Sequence, residues 1–287
     1  MPAARTADIT PAGSPPPRDR PAGPAAPADH ASRAPVIVLA PAYCGASTLR
    51  SMLEGHPDLA CTSGTGLLPL CEQAMATWRN ADRRPSGSPS SLACTTTRAL
   101  ATSLITSILV REGGRRWCEV AAVNPEAAGT FLHLYPGTRF LCLYRACPGV
   151  IRAALDASPW GITDPVLAPF TSRYPASTVA SLTAYWVMHA AALLAFEREH
   201  PQSCLRVRFE DLARDPQAGE RITAFLGLTD THGRATPAGH NEPEPAPPDT
   251  GPAPAPPDHL MPPALLAQAN DLLRQLDYPV MAAGKTP

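Results

Sequence analysis

Apolar positions along the chain alternate between short continuous runs and longer stretches of helical period. Val36-Ile37-Val38-Leu39-Ala40 is a largely β-branched run and predicts a strand buried on both faces. A small-residue loop follows, and 47–54 then reads as a helix that stops at His56-Pro57. Residues 66–79 and 92–111 also read as helices. In the second, Leu100, Leu104 and Ile108 recur at i, i+4 and i+8. Residues 117–120, 139–144 and 205–209 predict further strands. Asn124-Pro125-Glu126 opens a helix with an N-cap, a proline at N1 and an acid in the first turn, and Tyr135-Pro136-Gly137 closes it. Pro148 opens a helix through Ala157, Ser177 caps a long one to about Glu199, and Pro216 opens one that ends at Phe225-Leu226-Gly227. A last helix is predicted over 263–277.

Strands of continuous apolar character alternating with helices predict an α/β fold. The expected form is a P-loop-like central parallel sheet of about four to five strands, flanked by helices on both faces. Ligands in such sheets sit at the carboxyl ends of the strands.

Composition changes this picture at the edges. The chain has 287 residues and 36 prolines, about two and a half times the usual share. Many fall in 1–34, which reads as a disordered leader, and in 232–262, a Pro-rich linker densest at 235–258. The α/β domain is expected over 35–231, and a C-terminal helix and tail over 263–287. A net charge of −1 argues against a nucleic-acid or membrane-surface partner. No run of about 18 apolar residues predicts a membrane span. The Pro/Ala-rich start has no apolar segment of the secretory kind, so a cytoplasmic location is expected. The eight cysteines lack a C-x-x-C pair and read as reduced thiols. The scattered histidines show no metal-binding spacing, and no metal is expected. Of the 24 basic residues, only Lys285 is a lysine, so any mechanism needing a lysine in the folded core is excluded.

Candidate chemistry concentrates in Ala42-Tyr43-Cys44-Gly45-Ala46-Ser47-Thr48-Leu49, between the first strand and the first helix. Backbone N–H groups and the positive helix end converge there, which makes an anion site. The loop lacks the Gly-Lys of a nucleoside-triphosphate P-loop. The bland alternative is a tight turn with nothing bound. Cys44 to Ser51 also fits C-x5-R-S, the spacing of phosphatases that place a thiolate over a helix N-terminus, with Cys44 as nucleophile and Arg50 closing on the phosphate.

Three further segments join this loop in a resemblance. The loop with Leu53-Glu54-Gly55-His56-Pro57-Asp58, the stretch Tyr135-Pro136-Gly137-Thr138-Arg139 through Leu143-Tyr144-Arg145-Ala146-Cys147-Pro148, the stretch Val207-Arg208-Phe209-Glu210-Asp211-Leu212 with Ala224-Phe225-Leu226-Gly227-Leu228, and the tail 272–278 occur in order. Together they resemble the sulfotransferases that use 3′-phosphoadenosine-5′-phosphosulfate (PAPS). The resemblance implies transfer of a sulfuryl group to a hydroxyl or amine of a small molecule, such as a secondary metabolite. It also implies that Cys44, Gly45, Ala46, Ser47 and Thr48 hold the donor's 5′-phosphosulfate and that Arg145 grips its 3′-phosphate. The composition suggests a bacterial source.

The family's catalytic positions depart from their usual residues. The basic residue of the first loop falls at Tyr43, the serine of the second segment at Ala153, the lysine and histidine at Val120 and Ala122, and the carboxylate of bacterial members at Gly64. Glu119 is the nearest replacement base, set against an ordinary exposed or salt-bridged acid. Arg50, Arg115 and Arg116 are candidate replacement cations, set against solvated surface charges. Trp186 and His189 read as core of the long helix, with a substrate contact as the alternative, and 158–175 with Trp160 reads as an acceptor lid. A scaffold that binds without classical sulfuryl transfer, or a repurposed transfer reaction, is the competing function.

Overall fold

Residues 34–81, 91–158, 164–228 and 261–281 are described by a computed structural model. The expected leader, the densest part of the Pro-rich linker, Trp160 and Lys285 lie outside these residues. Five strands form one all-parallel sheet: β1 (Val36–Leu39), β2 (Leu59–Ser63), β3 (Arg116–Ala121), β4 (Arg139–Tyr144) and β5 (Cys204–Arg208), in the order β2-β3-β1-β4-β5. The helices are α1 (Ala46–Glu54), α2 (Leu67–Ala81), α3 (Ser91–Glu112), α4 (Pro125–Leu134), α5 (Cys147–Ala157), α6 (Ala168–Arg173), α7 (Thr178–Glu199), α8 (Phe209–Arg214), α9 (Ala218–Leu226) and α10 (Pro263–Gln275).

The central strands are apolar throughout because both faces are covered. All four residues of β1 are buried, and so are Phe140 to Tyr144 of β4. Trp117 packs on Phe131 of α4 with ring centroids 5.9 Å apart, and Phe140 meets Phe196 of α7 edge-on at 5.0 Å. The α7–β5 contact also carries an ion pair: Glu197 accepts from Arg206 at 2.7 Å and from the Tyr144 hydroxyl at 3.0 Å. The expected caps are present. Asn124 accepts from the Ala127 N–H and Ser177 from the Ala180 N–H.

Three features differ from expectation. β2 is an additional strand: Leu-Ala-Cys-Thr-Ser is short and half exposed, so its apolar pattern is weak. α8 is a separate short helix, and α9 begins at Ala218 rather than Pro216 because the Asp215 side chain accepts from the Gln217 N–H and turns the chain first. In α3 the buried face is Ala93, Thr97, Ala101, Ile105 and Leu109, while Leu100 and Leu104 are 49 % and 42 % exposed. The small residues of the inner face let the helix approach its neighbours closely, so the bulkier stripe turns outward. By length and mean hydropathy α3 and α7 are each apolar enough to cross a membrane. α7 is largely buried in the α/β unit, and α3 packs its small-residue face inward.

The burial pattern of α3 is testable by urea unfolding. Ile105→Ala is expected to cost about 2–4 kcal/mol, and Leu100→Ala less than about 0.5 kcal/mol. Equal losses would contradict the inward face assigned here.

Candidate functional site

The chain reverses its crossover direction between β1 and β4, because the connection from β1 leads toward β2 and the one from β4 leads toward β5. This is the point where an open parallel sheet leaves a crevice. The loops after β1 and β4 meet there.

In the first loop Tyr43 and Gly45 both take left-handed conformations, at φ 64° and 83°. Gly45 is the N-cap of α1, and no side chain caps it. The first α-helical bond runs from the Leu49 N–H to the Gly45 carbonyl, at 3.4 Å. The amides of Ala46, Ser47 and Thr48 therefore have no acceptor within the helix. The Ser47 and Thr48 side chains are exposed beside them. The loop is braced by the Ala42 N–H, which donates to the Tyr185 hydroxyl at 2.7 Å, and by the Tyr43 hydroxyl, which donates to Asp164 at 3.3 Å.

Arg145 follows β4 and is only 9 % exposed. Its guanidinium lies 4.3 Å from the ring centre of Phe209 and donates to the Tyr43 carbonyl at 3.0 Å. Phe209 also fills the space above Gly45, where a Cβ would lie 2.2 Å from the ring. Trp186 donates to the Arg145 carbonyl at 2.9 Å, so its core position also anchors the loop. Glu210 accepts from the Ala146 N–H at 2.9 Å and from the Tyr278 hydroxyl at 2.8 Å, which ties the C-terminal segment to the second loop. Among the described residues Arg145 forms no ion pair. A buried guanidinium beside uncapped helix amides is an arrangement that can receive an anion.

The cysteine-phosphatase arrangement is contradicted. Cys44 is 1 % exposed, and burial pushes its thiol up to about 12, so it is not a thiolate near neutrality. Arg50 points elsewhere, to Glu54 at 2.6 Å and Ser63 at 3.1 Å. The other candidate cations are also misplaced. Arg115 and Arg116 precede or begin β3, at the sheet edge opposite the loops. Arg115 lies 3.6 Å from Asp58, and Arg116 donates to the carbonyls of Ala34 and Leu226.

Glu119 is neither exposed nor salt-bridged. It is 2 % exposed and accepts from the Thr62 hydroxyl, from the Thr65 N–H at 2.8 Å and from the Thr65 hydroxyl at 3.0 Å. Trp117 donates to Thr62 at 2.8 Å. So engaged, the Glu119 carboxylate anchors the loop after β2. That loop carries Gly64, whose N–H donates to the Val120 carbonyl at 3.4 Å. The positions of the family's carboxylate and lysine therefore meet in space, and both lack a functional side chain. A Cβ at Gly64 would touch nothing within 4 Å, but the left-handed φ of 68° there strains any other residue. His189 is half-buried against Tyr185, ring centres 4.3 Å apart, and burial lowers its pKa below the usual imidazole value. Tyr185 was not recognisable as a site residue in the sequence, and although Phe209 lies in the 207–212 stretch of the resemblance, nothing local signals its contact with Gly45.

With this geometry, the class is defined by comparison. Residues 35–232, more than half the chain, match the Sulfotransferase family, and the protein belongs to that family. Relatives named "Putative protein-tyrosine sulfotransferase" are 27 % identical over 187 residues in Caenorhabditis briggsae and 26 % over 182 residues in Caenorhabditis elegans. The matches cover 64 % and 63 % of this chain but only 62 % and 65 % of the two relatives, so the chain spans less than two thirds of their length. Two solved structures share the fold. The sulfotransferase domain from the curacin biosynthetic pathway has a TM-score of 0.57 at 16 % identity, over 86 % of this chain and 98 % of that one. The sulfotransferase domain from the Synechococcus PCC 7002 olefin synthase has a TM-score of 0.52 at 18 % identity, over 86 % and 95 %.

Gly45 tests the framework. Gly45→Ala is expected to lower stability by about 2–3 kcal/mol, through both the left-handed φ and the clash with Phe209. Adding Phe209→Leu should return the clash share, giving a coupling above about 0.5 kcal/mol in a double-mutant cycle. Strict additivity would show that ring and glycine do not meet.

Proposed function

We propose that the protein is a sulfotransferase that takes PAPS as donor and a hydroxyl or amine of a small molecule as acceptor. Family and fold support sulfotransferase activity. The observation that carries the donor assignment is the buried guanidinium of Arg145, which forms no ion pair among the described residues, beside the uncapped amides of 46–48. PAPS supplies an activated sulfuryl group carried on a phosphate. In this reading the amides of Gly45 to Thr48 and the Ser47 and Thr48 hydroxyls hold the 5′ anionic group, with Cys44 packed beneath the loop. Arg145 offers its fork to the 3′-phosphate. Glu119 acts by holding the 62–66 loop at the crevice. The tyrosyl hydroxyl in the relatives' names is the same kind of acceptor atom as a small-molecule hydroxyl. The eight free cysteines support a cytoplasmic setting.

Binding of adenosine 3′,5′-bisphosphate tests the donor site. Wild type should bind, and Arg145→Ala and Arg145→Lys should each weaken binding by about tenfold or more, with melting temperature monitored to exclude unfolding. Equal affinity in folded variants would remove Arg145 from the site.

A second reading, binding without efficient transfer, is favoured by one observation: Gly64 and Val120 meet in space without the acid and the lysine. Gly64→Glu combined with Val120→Lys should then raise sulfuryl transfer by about tenfold or more over wild type, read as release of 3′-phosphoadenosine 5′-phosphate. No gain, with wild type already active, would point to a base elsewhere.

A further inference from the structure

Strand register sets two cysteines side by side at the edge of the sheet. Cys61 of β2 and Cys118 of β3 are direct Cα partners. Adjacent strands lie about 4.8 Å apart, inside the roughly 4.4–6.8 Å Cα separation that a disulfide spans. As direct partners on parallel strands, both side chains stand on the same face of the sheet, and the nearby Cys61 thiol helps to raise that of Cys118. Cys118 is fully buried, whereas Cys61 is half-buried and within reach of solvent. β2 is the outermost strand on its side, so it can move the short distance toward β3 without disturbing another strand.

We propose that Cys61 and Cys118 form a peroxide-responsive dithiol that closes to a disulfide across the β2–β3 edge. Cys61, the accessible sulfur, attacks a hydroperoxide as its thiolate. The O–O bond breaks, the leaving oxygen takes a proton, and Cys61 becomes a sulfenic acid. The Cys118 sulfur then attacks the Cys61 sulfur. The S–O bond breaks, and water leaves with the Cys118 proton. Two thiols have lost two protons and two electrons, and the hydroperoxide has been reduced to water and water or alcohol. Burial keeps Cys118 away from the oxidant, which leaves it the second step rather than the first.

The bridge would act one residue from the buried network, since Thr62 follows Cys61 and Glu119 follows Cys118. Ser63, two residues beyond Cys61 on the same face of β2, accepts from Arg50 of α1. A second pair, Cys142 of β4 and Cys204 of β5, supplies an internal control. Its thiols are also close enough to interact, but both residues are buried, and Cys204 lies opposite Phe140 rather than Cys142.

The test is to treat the native full-length chain with hydrogen peroxide, quench, denature and count thiols. Wild type should lose two of its eight thiols, regain them with dithiothreitol, and yield a disulfide-linked peptide pair containing Cys61 and Cys118. Cys61→Ser, at the half-buried position, should keep all its remaining thiols under the same treatment. The proposal is overturned if all eight thiols survive, if the bridge maps to Cys142–Cys204 or joins two chains, if Cys61 alone is oxidised to a sulfinic acid, or if Cys61→Ser still loses a pair.

Discussion

A guanidinium held at 9 % exposure with no ion pair among the described residues is costly unless other groups take up its charge and its donors. In this protein the π face of Phe209 and the carbonyl of Tyr43 do so, and the rest of the site is built around that contact. Phe209 fills the space that Gly45 leaves open, which sets the entry of the chain into α1 and leaves the first-turn amides uncapped. Glu210, the next residue, fixes the start of α5 and the tail at Tyr278. Segments far apart in the chain thus share one small cluster, and the position of the anion-binding amides depends on it.

At the end of the β2–β3 pair, Gly64 and Val120 stand where the resemblance would place an acid and a lysine, and their backbones are hydrogen-bonded. The carboxylate nearest to them, Glu119, is turned into the protein and engaged by two threonines. The first loop therefore keeps its uncapped helix amides on a rigid sheet, while Glu119 is committed to holding the loop after β2.

Much of the architecture was readable from local pattern. β1, β4 and β5, the Asn124 and Ser177 caps and the helix from Pro148 onward are governed by short-range signals: continuous apolar runs, side-chain caps and N1 prolines. β2 was not readable, because an edge strand of Leu-Ala-Cys-Thr-Ser is stabilised by pairing with β3 rather than by its own composition. The outward turn of Leu100 and Leu104 was also hidden. Periodicity identifies a stripe but does not say which of two stripes meets the sheet, and here close approach favoured the smaller one.

The candidate site divides along the same line. From the sequence alone came the strand–loop–helix cradle at 44–48, the arginine after the fourth strand and the lack of a core lysine, since each is a matter of residue type at a local position. Only the tertiary structure decided that Cys44 is a sealed thiol, that Arg116 lies at the wrong edge of the sheet, that Glu119 faces inward and that Phe209 joins Gly45 to Arg145. Those facts depend on which strands become neighbours and which faces they bury. Contacts between residues more than fifty positions apart leave no period or spacing in the chain by which they could be read.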